Sequence, residues 1–234
     1  MREYKICYVA FMDILGFKSL LRDKTKSCED IAQIFDEIKK QYDIRENGNP
    51  MIDKDEIHFK VMSDSVCIFI DSSIENSLLV LVMLCVHFQI RLLRLPTPVL
   101  VRGGISQGNV YLDSDIMFGP GMCNAYELES VYAKYPRIIV PLKLVDDYDM
   151  NDMEKKSILS SFLFRDFDEF YTTNCYELYT GWGYKQEDGE RLIDHIYNVL
   201  CNPSSPEVRE KYLYFQSHVV PAIENEKRKQ SPCR

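Results

Sequence analysis

Two carboxylates hold the positions in this 234-residue chain best suited to chemistry. Asp13 closes an apolar run at residues 4–12. Asp64 stands at the tip of a Ser63-Asp64-Ser65 turn between two further apolar runs, 57–62 and 66–70. If that hairpin pairs beside the first strand, its turn comes to lie next to the strand's end and the two carboxylates meet. An oxygen-rich pair suits Mg²⁺ or Mn²⁺. Two such ions can activate a hydroxyl and neutralise a phosphate during an in-line displacement. Just past Asp13, the backbone amides of residues 15–18 open a short helix and can offer unpaired N–H groups to phosphate oxygens. Each aspartate is equally an ordinary turn residue, and on spacing alone that reading stays open.

The elements that must position these side chains follow from hydrophobic spacing. Residues 4–12 are apolar at both parities, the pattern of a central strand covered on both faces. Ser27 and Asp30 resemble a capping box, and Ile31, Ile34, Phe35, Ile38 and Tyr42 follow at helical spacing. The runs 57–62 and 66–70 read as a hairpin. Residues 74–95 read as a buried helix that stops before Pro96-Thr97-Pro98. A strand pair, 99–106 and 109–112, is expected around Gln107-Gly108, then a helix over 122–132 and a short strand over 137–140. This order predicts an α+β fold: a ferredoxin-like, mainly antiparallel sheet with helices packed on one face. Past Pro141 the pattern weakens, although 188–200 reads as a helix and Ser205-Pro206 opens another. Residues 1–140, which carry the clear pattern, are therefore expected to form the core of the domain. Residues 141–234 are expected to form a partly helical C-terminal part of the same domain.

Composition narrows the classes of function. Lys and Arg total 28 against 36 Asp and Glu, a net charge of −8, which argues against a broad nucleic-acid face but permits a local cationic pocket. Eight cysteines form no C-x-x-C pair, and four histidines supply no matching metal spacing. Cys7, Cys67 and Cys85 lie in apolar runs and read as small buried hydrophobes. No signal-peptide pattern follows Met1, and the most apolar stretch, 78–86, is shorter than the roughly 20 residues a spanning helix needs. A cytoplasmic protein without a membrane partner is expected.

Several segments resemble the class III nucleotidyl cyclases. The stretch FMDILGF at 11–17 is similar to their F-x-D-I-x-G-F metal segment. KVMSDS at 60–65 is similar to their K-x-x-G-D segment, with Ser63 in the glycine's place. RGGISQG at 102–108, the segment 115–119, NAYELES at 124–130 and PRIIV at 136–140 complete a pattern that resembles the Pycsar pyrimidine cyclases in particular. The resemblance covers residues 4–140.

It implies conversion of UTP, or CTP, to a 3′,5′-cyclic mononucleotide and pyrophosphate, as a second messenger in bacterial antiphage defence. It also implies two divalent ions, Mn²⁺ or Mg²⁺, on Asp13, Asp64 and the Ile14 carbonyl. Substrate contacts would come from Gly16, Phe17, Lys60, Asp115 and Asn124. Similar enzymes form head-to-tail homodimers whose sites take metals from one subunit and ribose or base contacts from the other. One departure stands out: where the family carries an arginine before L-E-S, this chain has Glu127. Arg102 is the candidate substitute cation and Arg137 the reserve. Arg102 could instead pair structurally with Glu127 or Glu129, Lys60 could be a solvated strand residue, Asp115 a turn residue and Asn124 a helix cap. The alternatives to a cyclase are a degenerate nucleotide-binding regulatory module and a palm-type nucleotidyltransferase.

Overall fold

The computed structural model describes residues 3–25, 27–40, 51–113, 116–148, 153–181 and 183–230. Strand β1 (Lys5–Ile14) leads into α1 (Phe17–Arg22) and α2 (Cys28–Lys40). The hairpin β2 (Ile57–Met62) and β3 (Ser65–Asp71) follows, then α3 (Ser77–Leu93) and β4 (Val101–Leu112). These four strands lie in the order β2-β3-β1-β4, antiparallel throughout, which is the ferredoxin-like arrangement. The sheet continues through β6 (Ile138–Pro141), β8 (Phe170–Thr173) and β7 (Leu163–Arg165), while the short β5 (Met117–Phe118) pairs with β4. Among the described pairings only β4–β6 is parallel, over two residue pairs. The remaining elements are α4 (Pro120–Glu127), α5 (Leu142–Asp146), α6 (Met153–Ser161), α7 (Cys175–Leu178), α8 (Gln186–Cys201) and α9 (Pro206–Gln230).

Local chemistry explains the main elements. Helix α3 is apolar over most of its circumference, so burial is its stable solution. It lies against Ala10, Met12 and Ile14 of β1 and Ile68 and Ile70 of β3, with Ile34 and Ile38 of α2 in the same core. Helix α2 begins at a reciprocal capping box. The Asp30 N–H donates to Ser27 Oγ (3.1 Å), and the Ser27 N–H donates to Asp30 Oδ2 (2.7 Å). On its other side α3 gives Val86, Ile90 and Leu93 to a second cluster with Tyr176, Tyr179, Leu192, Ile196, Phe215, Val219 and Ile223, so α7, α8 and α9 dock on its flank.

Two expectations need correction. The strand pair around Gln107-Gly108 is one continuous strand, β4, paired with β1 from Val110–Lys5 to Val101–Ile14. Gly108 serves packing, not a turn: a Cβ there would lie 2.8 Å from the Gly121 Cα, so its absence lets α4 approach the strand. The helices also cover both faces. While α3 covers one, α4 lies on the other, where Ala125 meets Cys7, Val9, Phe11, Cys67 and Phe69. The seven described cysteines are all free thiols, with Cys7, Cys67, Cys85 and Cys175 buried. Among the described residues no helix is long and apolar enough to cross a membrane.

Candidate functional site

Sheet register brings the two predicted aspartates to one end of the sheet. Asp13 lies opposite Ser65 of β3 on one side and Arg102 of β4 on the other. The next residue, Ile14, donates its N–H to the Asp64 carbonyl (3.0 Å), which fastens the hairpin turn to the end of β1. Period-2 geometry then sorts side chains by face. Asp13 shares the α4 face of the sheet with Phe11, whose β3 partner is Cys67, whose β2 partner is Lys60. Lys60 and Arg102 therefore lie on the same face as Asp13.

The electrostatics at this point are those of a crowded acidic corner. Arg102 Nε sits 2.7 Å from Glu129 Oε1 and 3.6 Å from Asp13 Oδ2. Burial pushes the Asp13 carboxyl above its ordinary range; Arg102 opposes that, Asp64 adds to it, and Lys211 also pulls it down. Glu129, only 3% exposed, is raised in the same way by burial, against Arg102 and with Asp13 and Asp64. It belongs to a π-helical turn, Leu128–Tyr132, that extends α4, and such turns often mark functional positions. Gly104 allows the close fit, since a Cβ there would lie 2.3 Å from the Leu128 Cβ.

Asp13, Asp64 and the Ile14 carbonyl would offer hard oxygen donors to a metal ion. Among the described residues no group of three or more His, Cys, Asp and Glu side chains is arranged to hold a metal. Two carboxylates suffice for a Mg²⁺-type ion whose shell is completed by water and substrate phosphates. The donor set fits that chemistry and does not form an all-protein cage.

The other predicted residues divide between places. Gly16 takes φ +79°, open to glycine at little cost, and its carbonyl accepts from the N–H groups of Ser19 and Leu20. The Phe17 ring is buried edge-to-face against Phe35, which leaves only its backbone for a ligand. The expected phosphate cradle is shorter than predicted, because the Leu15 N–H is already bonded to the Leu100 carbonyl (2.9 Å). Asp115 lies outside the described residues. Arg137, the reserve cation, is 1% exposed and bound by Asp166 and Asp168, with its guanidinium 5.0 Å from the centre of the Phe167 ring. It fastens the sheet to its C-terminal packing and has no path to a substrate.

Asn124 is exposed on α4 and lines a second cleft of about 700 Å³ with Glu127, Tyr132, Gln107, Lys143 and Asp147. This cleft opens where β4 and β6 part after their brief pairing. Gln107 is five positions along β4 from Arg102, about 17 Å away at strand rise. Asn124 thus lines a cleft to which neither Asp13 nor Asp64 belongs. The sequence reasoning missed two side chains. Glu129 entered it only as a possible partner of Arg102, and Lys211 gave no signal there, being one lysine on an amphipathic helix.

Neither a protein-family model nor a curated protein matches this chain. Among solved structures, it is similar to a crystal structure of an adenylate/guanylate cyclase/hydrolase from Silicibacter pomeroyi. The identity is 16% and the TM-score 0.43, over 74% of this chain and 96% of that one. A likeness so distant says nothing about the chemistry of the site.

Proposed function

We propose that this chain is a metal-dependent nucleotidyl cyclase that converts a pyrimidine nucleoside triphosphate, UTP or CTP, to its 3′,5′-cyclic monophosphate and pyrophosphate. The observation that supports the reading is that the Ile14–Asp64 backbone bond brings Asp13 and Asp64 to one sheet end, where the Asp64 charge helps to raise the Asp13 pKa. Bound there, two Mg²⁺ or Mn²⁺ ions would lower the pKa of the ribose 3′-OH and offset the charge of the triphosphate. The acceptor is the nucleotide's own hydroxyl, so no protein nucleophile is needed, and positioning with charge stabilisation supplies the rate. Arg102 balances the corner: beside Glu129, it opposes the desolvation that pushes the Asp13 pKa up. Lys60, on the same face of the sheet, would contact the base. Preference for uracil or cytosine, and a role in antiphage defence, rest on the motif pattern of residues 102–140 alone.

Asn124 lines a cleft that includes neither Asp13 nor Asp64, which is compatible with a homodimer in which each site takes metals from one subunit and ribose contacts from the partner. Complementation tests both ideas. Asp64→Asn and Asn124→Ala chains are each expected to be inactive with Mn²⁺ and UTP or CTP. Mixed, they should recover part of the wild-type rate, because one site of the mixed dimer has both residues intact. No recovery from folded, dimeric mixtures would refute the shared site. Failure of wild-type protein to form a cyclic mononucleotide from any of the four triphosphates would refute the cyclase.

A second reading, a nucleotide-binding module without turnover, is favoured by the exposed Glu127 and by the engagement of Arg102 with Glu129. It predicts saturable nucleotide binding with no pyrophosphate release.

A further inference from the structure

A single nitrogen stands between two carboxylates at this corner. Arg102 Nε lies 2.7 Å from Glu129 Oε1 and 3.6 Å from Asp13 Oδ2, and among the described residues Arg102 makes no other ion pair. Arg102 and Asp13 are direct partners across the β4–β1 ladder. Opposite charges that face each other on one side of an antiparallel pair ordinarily close into contact. Here Glu129 is the nearer anion, and the guanidinium is drawn to it instead.

Packing alone does not explain a carboxylate in that place. Ala125, one helical turn earlier, is fully buried against β1 and β3, so Glu129 falls on the stripe that faces the sheet and is itself 3% exposed. An ion pair taken out of water costs free energy, and apolar residues of similar size often stabilise a fold as well or better. Nor does this pair have the aligned, two-pronged geometry that makes an arginine–carboxylate contact strong. Arg102 Nε and Glu129 Oε1 are both buried, and neither makes an aligned hydrogen bond among the described residues. The backbone nevertheless fixes Glu129 there. Gly104 lets the π turn lie on β4, since a Cβ at that position would fall 3.1 Å from the Glu129 nitrogen. The turn is closed by the Ala133 N–H, which donates to the Leu128 carbonyl (2.8 Å). A buried polar contact that is costly, poorly aligned and still held by the backbone calls for a reason other than stability.

We propose that Glu129 is a positioning residue of this site: by holding the Arg102 guanidinium off Asp13, it keeps the Asp13 carboxylate open to a divalent ion. The proposal rests on the reading of Asp13 and Asp64 as metal donors given above. Glu129 acts only through Arg102, and no bond forms or breaks at it. With its charge gone, Arg102 closes onto Asp13 across the ladder, and an incoming ion must first displace the guanidinium.

The test is titration of the full chain with Mn²⁺, read from the electron paramagnetic resonance signal of the free ion. The chains compared are wild type, Glu129→Gln, Glu129→Asp, Arg102→Met and the double variant Arg102→Met/Glu129→Gln. Glu129→Gln is expected to weaken Mn²⁺ binding by about 10- to 100-fold, the worth of the charge-assisted contact that the ion must then break. Glu129→Asp keeps the charge but sets the carboxylate back by about 1.5 Å, so that Asp13 becomes the nearer anion, and it should weaken binding to a similar extent. In the Arg102→Met background no guanidinium can close on Asp13, and adding Glu129→Gln should change affinity by less than about twofold. Urea midpoints identify any variant that is unfolded; the charge-retaining variant and the double-variant comparison are independent, so either decides alone. The proposal is overturned if Glu129→Gln binds within about twofold of wild type. It is equally overturned if Glu129→Asp matches wild type, or if Glu129→Gln costs as much without Arg102 as with it, since both describe a plain charge effect. Wild type that binds no Mn²⁺ defeats the metal-site reading and this proposal with it, whereas Mn²⁺ binding indifferent to Glu129 defeats the proposal alone.

Discussion

Replacing Arg137 by methionine gives the sharpest test of what holds the C-terminal helices to the sheet. Arg137 is 1% exposed and its partners are unequal: Asp166 is 4% exposed, Asp168 29%. Desolvation pushes the Asp166 carboxyl up, but Tyr214's hydroxyl, Phe167's N–H and Arg137 together bring it below its ordinary value. Without the guanidinium, Asp168 can rehydrate and Asp166 cannot. Removing one partner of a buried pair costs about 3–5 kcal/mol. Asp166 keeps the Phe167 N–H at 2.8 Å, the Thr172 hydroxyl at 3.3 Å and the Tyr214 hydroxyl, so the lower end, about 3 kcal/mol, applies here. With a urea slope of about 3 kcal/mol/M, the midpoint should fall by about 1 M. Adding Asp166→Asn should recover part of that loss, because the stranded charge is gone. A fall below about 0.3 M for Arg137→Met, or no recovery in the double variant, would refute the reasoning.

Other outcomes follow from the same structure. His87 lies in a cleft between α2 and α3 beside Arg91 and Arg94; burial, then those two charges, lowers its pKa to about 4. The unfolded chain takes up a proton near pH 6.5 that the folded chain refuses, so urea stability should fall as pH drops from about 6.5 to 4. His87→Gln should flatten that fall without abolishing it, since His58 and His195 are lowered too. Gly104→Ala should destabilise by about 1–3 kcal/mol by forcing α4 away from β4, seen as a lower thermal midpoint, while Gly16→Ala should cost less because no atom lies within 4 Å of its added Cβ and only φ is strained. Among the described cysteines, Cys28, Cys123 and Cys201 should react with maleimide in the native state. Cys7, Cys67, Cys85 and Cys175 should react only on unfolding, which mass spectrometry of the adducts can read.

Periodicity made the core half of the sheet legible. The double-sided run at 4–12, the hairpin and the mostly apolar helix each have one stable placement, and together they bring Asp13 near Asp64. The capping box of α2 was equally plain. Gly108 misled because glycine marks turns and close approaches alike, and only the position of Gly121 distinguishes them. The second helix-covered face was hidden for a related reason: α4 is short, with only Gly121 and Ala125 buried, so its apolar stripe is too narrow to read. Glu129 was obscured because a buried carboxylate in a π turn looks like any helical glutamate in sequence. Lys211 comes into electrostatic range of Asp13 only in the folded chain, a long-range arrangement that local spacing does not encode.

The most direct measurement is pyrophosphate release from each of the four nucleoside triphosphates with Mn²⁺, comparing wild type with Asp64→Asn and weighing the product by mass spectrometry. The expected result is turnover of UTP or CTP to a cyclic mononucleotide, lost in Asp64→Asn while its urea midpoint stays unchanged. Turnover that survives in Asp64→Asn, or folded wild-type protein that releases pyrophosphate from none of the four, would contradict the account.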